Sequence, residues 1–272
     1  MSDVDTKARL DWRMPPLREV SVLGHRMAYY EAGSGPPIVL LHGFSGSAYF
    51  EWGRVMDALA ERHRVVAFQQ IGFKPSEQPA IAYTTEEQLA HVSGLMEALG
   101  LTGAVLVGES YGGWCVGAYA AREAVAGSGL APVAGYAIIC GAVNVKRDGM
   151  PGRNPPPRGF CDDAIALEVQ QRIDELNPHQ LANDPTRAAI MANSGLGKGD
   201  PGEAVLSKIT RPTLLLWGAE DELIPLRYGE AAHAAIPGSE LVVLPGVGHI
   251  PSVEAPQDFI RILGDFAARV QL

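Results

Sequence analysis

The chain has 272 residues, with 22 lysines and arginines against 31 aspartates and glutamates and a formal net charge of -9. That surplus of acid disfavours attachment to nucleic acid or anionic lipid through bulk charge, and no basic stripe offsets it. The length allows one large domain or two small ones, in either case with a substantial buried core.

The N-terminal stretch "MSDVDTKARLDW" mixes both charge signs and lacks the apolar core of a secretory signal, so a cytoplasmic protein is expected. Apolar runs such as Ile38 to Leu41 and Ala137 to Cys140 fall far short of the roughly 20 residues that cross a bilayer, so no membrane span is expected. Three cysteines, Cys115, Cys140 and Cys161, are widely spaced and form no C-x-x-C pair. They predict free thiols, not a disulfide framework or a zinc site.

Short β-rich runs alternate with helical patterns through most of the chain, the mark of a parallel α/β sheet. "REVSVLG" and "RMAYYEAG" read as two strands joined at Gly24-His25, followed by "GPPIVLLHG" as the first buried central strand. "RVVAFQQ", "AVLVG", "YAIICG", "PTLLLWG" and "SELVVLPG" complete eight strands, mostly rich in the Val, Ile and Leu of a sheet covered on both faces. "TTEEQLAHVSGLMEALG" predicts a helix capped by Thr84 or Thr85 and ended at Gly100, and "APQDFIRILGDFAARV" predicts a C-terminal helix with an apolar stripe. Residues 142–208 break the rhythm: a Pro/Gly/Arg-rich loop, two or three modest helical patterns, then "NSGLGKGDPGE". An insertion that carries its own helices is expected to be a mainly helical cap over the C-terminal edge of the sheet, leaving 1–141 and 209–272 as the core domain.

Gly108-Glu109-Ser110-Tyr111-Gly112 fits G-x-S-x-G between a strand and a helix of small residues. A serine at the apex of such a turn needs small flanking residues for the turn to close, and the helix that follows aims N–H groups at developing negative charge. Serine alone is unreactive, so a base and an orienting acid are required. His249 follows the last strand in "LPGVGHIPSVEAPQDF", and Asp221 follows the preceding strand in "LLLWGAEDELIP". The order Ser, Asp, His suits this topology. His25, His63, His91 and His233 lie in turns or helices where solvated histidines are common, His42 is expected to shape its loop, and His179 sits in the cap. Glu220 and Glu222 read as solvated loop charges, and an acid between Asn144 and Asp148 is the alternative to Asp221.

With "LLHGFSGS", "VGESYGG", "LLLWGAEDELIP" and "GVGHIPSVEAP" in hand, the chain resembles the α/β-hydrolase superfamily over nearly its whole length outside the cap. The resemblance implies a mostly parallel eight-stranded sheet with helices on both faces, Ser110 as nucleophile, Asp221 as acid and His249 as base. It also implies an oxyanion hole from the backbone N–H groups of Phe44 and Tyr111. A carboxylic ester as small-molecule substrate, with no metal or organic cofactor, follows. A carbon-carbon bond hydrolase of ring-fission diketones is the alternative, and a hydrolase-fold binding protein or receptor is the reading of another class. The serine at the elbow sets the chain apart from relatives that use aspartate there for attack on alkyl carbon.

Tyr49, Trp114, Leu223 and Ile250 are expected pocket walls, and Arg153, Arg158, Arg172 and Arg187 are cap cations able to meet a substrate carboxylate. One departure stands out. Where many members carry D-x-x-G-x-G-x-S, this chain reads Gln69-Gln70-Ile71-Gly72-Phe73-Lys74-Pro75-Ser76, which predicts a differently hydrogen-bonded turn.

Overall fold

A computed structural model describes residues 11–141, 143, 158–179, 185–194 and 203–271. One sheet of 8 strands runs through it: β1 (Arg18–Val22), β2 (His25–Ala32), β3 (Pro37–Leu41), β4 (Arg64–Phe68), β5 (Val105–Glu109), β6 (Gly135–Ile139), β7 (Thr213–Gly218) and β8 (Glu240–Leu244). Their order is β1-β2-β4-β3-β5-β6-β7-β8. β1 and β2, and β2 and β4, pair antiparallel; every later neighbour pair is parallel. The mostly parallel eight-stranded sheet expected from the apolar runs is therefore present, with the first hairpin turning at Leu23-Gly24.

The helices are α1 (Ala48–Trp52), α2 (Met56–Ala60), α3 (Thr85–Ala98), α4 (Tyr111–Glu123), α5 (Asp163–Gln171), α6 (Ile173–Leu176), α7 (Pro185–Asn193), α8 (Glu203–Leu206), α9 (Arg227–Ala235), α10 (Pro251–Glu254) and α11 (Pro256–Val270). Side chains alternate across the sheet with period two, so each strand feeds two cores. Val39, Leu41, Val66, Phe68, Leu106 and Ile138 pack under α3 and α4. Ile38, Leu40, Val65, Ala67, Val107 and Ile139 pack under α1, α2 and α11.

Helix α3 starts where the sequence predicts, with Thr84 and Glu87 forming a reciprocal capping box. Helix α11 buries Phe259, Leu263, Phe266 and Ala267 along one stripe, each large side chain worth roughly 1.5–3 kcal/mol of burial. The described part of residues 142–208 carries α5 to α8 and no strand. Arg153 and the stretch from Asn144 to Asp148 lie outside the described residues.

Two histidines differ from expectation. His63 and His91 are buried, at 5% and 4% exposure. His91 sits on the inward face of α3, its Nδ1 2.7 Å from the Glu87 carbonyl one turn earlier, and His25 stacks against it. Polarity on the helix face misleads there because β1 and β2 cover that end of α3.

Candidate active site

Parallel strands β5, β7 and β8 end on one edge of the sheet, and the loops that leave them meet there, as ligand sites in open α/β sheets do. Ser110 follows β5 directly, at φ 56 and ψ -116. Its backbone N–H donates to the Ile139 carbonyl at 2.9 Å and its carbonyl receives Trp114 N–H at 3.0 Å, so the turn is locked on both sides. The flanking glycines are required by space. A Cβ on Gly108 would lie 2.1 Å from the Gly112 carbonyl oxygen, and one on Gly112 would lie 2.1 Å from the Leu41 carbonyl oxygen. Neither neighbour is a side chain that could swing away.

His249 Nε2 lies 2.8 Å from Ser110 Oγ, and His249 Nδ1 lies 2.8 Å from Asp221 Oδ2. The other Asp221 oxygen accepts Ile224 N–H at 2.8 Å, which fixes the carboxylate plane. Both Asp221 and His249 are buried, whereas Glu220 and Glu222 are exposed on either side of Asp221. The structure thus brings Ser110, Asp221 and His249 into one hydrogen-bonded line and leaves the two glutamates in solvent.

Cys140, at φ 45 after β6, is buried behind this line. Its Sγ and the donor atoms of Asp221 and His249 lie within 4.8 Å of one another. Burial, with the Asp221 carboxylate nearby, holds the thiol in its neutral form well above its ordinary value. The imidazole and carboxylate already bind each other, so the three groups form a hydrogen-bonded set and not an open ligand set for a metal.

The loop after β3 faces the elbow. A Cβ on Gly43 would come within 2.8 Å of Ser110 Cβ, so only glycine lets this loop close on the serine. His42 is fully buried; its Nδ1 is 2.7 Å from the Gly43 carbonyl and its Nε2 accepts Gln70 N–H at 3.1 Å. That pattern requires a neutral ring with its proton on Nδ1, in accord with a pKa lowered to about 4 by burial. Glu51 of α1 accepts Gly43 N–H at 2.6 Å and also bonds the Ser45 hydroxyl. Among the described residues, neither the Phe44 nor the Tyr111 backbone N–H has an acceptor. Tyr111 opens α4, where first-turn N–H groups are without intrahelical partners.

Gln69 accounts for the departure in the turn after β4. Its Oε1 accepts Ala48 N–H at 2.7 Å, and its Nε2 donates to the Gly46 and Lys74 carbonyls at 2.6 and 2.8 Å. One amide serves both a donor and two acceptors, which a carboxylate could not do.

Helices α6 and α7 approach the same edge. Asn177, after α6, donates from Nδ2 to the Ser45 carbonyl, and Tyr111 Oη is 2.9 Å from Ser194 Oγ. Arg187 of α7 donates to the Phe44 carbonyl at 3.1 Å and lies over the Phe44 ring at 4.9 Å. Phe44 in turn packs edge-on against Tyr111, with ring centroids 4.7 Å apart. Arg158 pairs with Asp163, and Arg172 with Glu168 and Glu175.

The expected pocket residues do not form one cluster. Trp114 lies in the main core, 1% exposed and stacked on Tyr111. Leu223 packs with Trp217, Ile224 and Tyr228. Tyr49 and Ile250 join Phe50, Leu176 and Val253. Sequence reasoning missed Glu51 and Glu109, both buried beside Ser110; the position of Glu109 inside the G-x-S-x-G turn was the one available signal for it.

A profile of the alpha/beta hydrolase family matches residues 38–262. The 2-hydroxymuconate semialdehyde hydrolase of Pseudomonas sp. (strain CF600) is 29% identical over 272 residues, covering 92% of this chain and 93% of that protein. The solved meta-cleavage product hydrolase of Pseudomonas fluorescens IP01 superposes with a TM-score of 0.79 at 21% identity, covering 93% of this chain and 97% of that one. An esterase from Rhodococcus sp. ECU1013 superposes with a TM-score of 0.73 at 26% identity, covering 93% and 99%. The chain belongs to the alpha/beta hydrolase family.

Proposed function

We propose that the protein is a serine hydrolase that cleaves a small-molecule carbonyl substrate, a carboxylic ester in the first instance, through an acyl-enzyme on Ser110. The observation that carries the reading is the line from Asp221 through His249 to Ser110, with both links at 2.8 Å. His249 takes the proton of Ser110 as Oγ attacks the carbonyl carbon, and Asp221 holds the ring tautomer and stabilises the imidazolium. The Phe44 and Tyr111 N–H groups receive the oxyanion of the tetrahedral intermediate, one such donor being worth about 10²- to 10³-fold in rate. His249 returns its proton to the leaving alkoxide, then activates the water that releases the acid. Only groups of this chain and water take part. Residues 142–208 act as the cap that closes over the acyl group.

Carbon-carbon cleavage of a vinylogous diketone is the second reading, and Arg187 favours it. Its guanidinium lies at the loop that carries Phe44, where it can hold the carboxylate of a keto acid. The relative named as a 2-hydroxymuconate semialdehyde hydrolase supports this reading, and the esterase neighbour supports the first.

Labelling with a fluorophosphonate, followed by mass spectrometry and by turnover of 4-nitrophenyl acetate, tests the common ground. An adduct on Ser110, and loss of both labelling and turnover in Ser110→Ala, are expected. An unlabelled Ser110 with no turnover would move the protein to the binding class, and full turnover by Ser110→Ala would end the mechanism. Exclusive cleavage of a ring-fission diketone would select the second reading.

A further inference from the structure

Two acids next to the nucleophile have no place in the relay, yet they are buried more deeply than its own members. Glu51 and Glu109 are 2% and 0% exposed, against 4% and 5% for Asp221 and His249. Their partners are neutral. Glu51 meets Gly43 N–H and the Ser45 hydroxyl, and Glu109 accepts the N–H and hydroxyl of Ser252 at 3.2 and 2.6 Å. Burial raises the cost of charge on both, and on Glu109 the neighbouring Glu51 and Glu254 carboxyls raise it further. Two carboxyl groups in one dry site, with neutral partners, retain a proton between them.

The loop after β3 can be satisfied by either form of Glu51, with different consequences. An ionised Glu51 accepts from both Gly43 and Ser45. A neutral Glu51 accepts Gly43 N–H on one oxygen and donates its own proton to Ser45 Oγ from the other. The neutral form makes the same two contacts without a second buried charge, and it sets no negative charge beside the place where an oxyanion forms. The loop has little slack, because a Cβ on Gly43 would lie 2.8 Å from Ser110 Cβ on one side and 3.1 Å from Glu51 Oε1 on the other.

We propose that Glu51, in its neutral form, is a positioning residue that clamps the Gly43–Ser45 turn against Ser110 and so sets the direction of the Phe44 N–H. The proposal rests on the serine-hydrolase reading. Around Glu51, β5 contributes Glu109 and α10 contributes Glu254, while His42, after β3, reaches the same turn through the Gly43 carbonyl and is kept neutral by burial. On the α1 side, the Tyr49 hydroxyl is held by the Trp12 carbonyl and Arg54 by the Val253 carbonyl; β4 has its one cation, Arg64, at its far end. Burial pushes Glu51 up to about 8, so a negative charge appears beside the oxyanion as pH rises through that value.

The experiment compares wild type, Glu51→Ala, Glu51→Gln and Ser110→Ala on 4-nitrophenyl acetate between about pH 6 and about pH 9.5. Glu51→Ala is expected to lower kcat by roughly 10- to 100-fold with KM within about threefold, because a misdirected donor is lost to the transition state only. Glu51→Gln accepts from Gly43 and donates to Ser45 as the neutral acid does, and it recovers kcat to within about threefold of wild type near pH 7. Wild-type kcat declines above about pH 8 and Glu51→Gln lacks that decline. Wild-type kcat in Glu51→Ala, or the same alkaline decline in Glu51→Gln, overturns the proposal. If Glu51→Ala does not fold, the pH profile of Glu51→Gln decides alone. Failure of the underlying reading has a separate signature, in which wild type and Ser110→Ala turn over alike.

Discussion

Gln70 and His42 are joined twice: Gln70 N–H donates to His42 Nε2 at 3.1 Å, and the Gln70 side-chain amide donates to the His42 carbonyl at 2.5 Å. The turn after β4 therefore holds the loop after β3 in register with the elbow. Together with Gln69, which bonds Gly46 and Ala48 at the end of the loop after β3 and Lys74 in its own turn, it ties the two loops to each other through two amides.

Removing the Gln69 amide leaves one buried N–H and two carbonyls without partners, each costing about 1–3 kcal/mol when no water replaces the bond. Gln69→Ala is expected to lower folding stability by about 2–4 kcal/mol in urea denaturation. Gln69→Glu is expected to cost at least as much, since a carboxylate cannot donate to Gly46 and Lys74. A change below about 0.5 kcal/mol in both variants would refute this account of the turn.

Asp221→Asn preserves shape but presents an amide to His249 Nδ1, which favours the wrong tautomer for a base at Nε2. A fall of about 10³- to 10⁴-fold in kcat with KM nearly unchanged is expected. Rates within tenfold of wild type would point to an acid elsewhere, in the stretch between Asn144 and Asp148.

Arg187 separates the two substrate readings. For a diketone acid, Arg187→Ala is expected to raise KM by roughly 10- to 100-fold, the worth of one hydrogen bond to a charged group. For 4-nitrophenyl acetate the same variant should stay within about threefold. Equal losses on both substrates would assign Arg187 to the packing of Phe44 instead of to recognition.

Buried His42 sets a pH dependence of stability. Its pKa is about 4 in the folded chain against 6.5 for an ordinary histidine. Between these values the unfolded chain binds the proton that the folded chain refuses, so stability falls as pH drops from 6.5 toward 4, by at most about 1.4 kcal/mol per pH unit. Glu51 acts with the opposite sign: raised from 4.5 to about 8, it binds more proton when folded and lowers stability as pH rises across that interval. The difference between His42→Gln and wild type isolates the histidine. Urea midpoints measured from about pH 7 to about pH 4.5 should converge as the pH falls; parallel curves would mean that His42 titrates normally.

The eight strands and the elbow after β5 were legible because burial on both faces forces runs such as "PIVLL" and "VLVGE", and because Gly108 and Gly112 admit no side chain against the Gly112 and Leu41 carbonyls. The meeting of Ser110, Asp221 and His249 was legible for the same reason: each follows a strand at a tight turn. Glu51 and Glu109 were not. A glutamate on a short helix or in a turn looks solvated, and only contacts closed by the tertiary fold, such as Glu109 with Ser252 across 143 residues, bury it. His63 and His91 were misjudged by the same rule. Trp114, adjacent to the elbow in sequence, turns inward because α4 packs its whole length on β5 and β6.

Ser110 sits at φ 56, a backbone region that costs a residue with a Cβ about 1–3 kcal/mol and costs glycine almost nothing. A chain selected for stability alone would place glycine at position 110. Under the proposed mechanism the serine is stability given up for reactivity, and Ser110→Gly should melt several degrees above the wild type while showing no hydrolytic turnover.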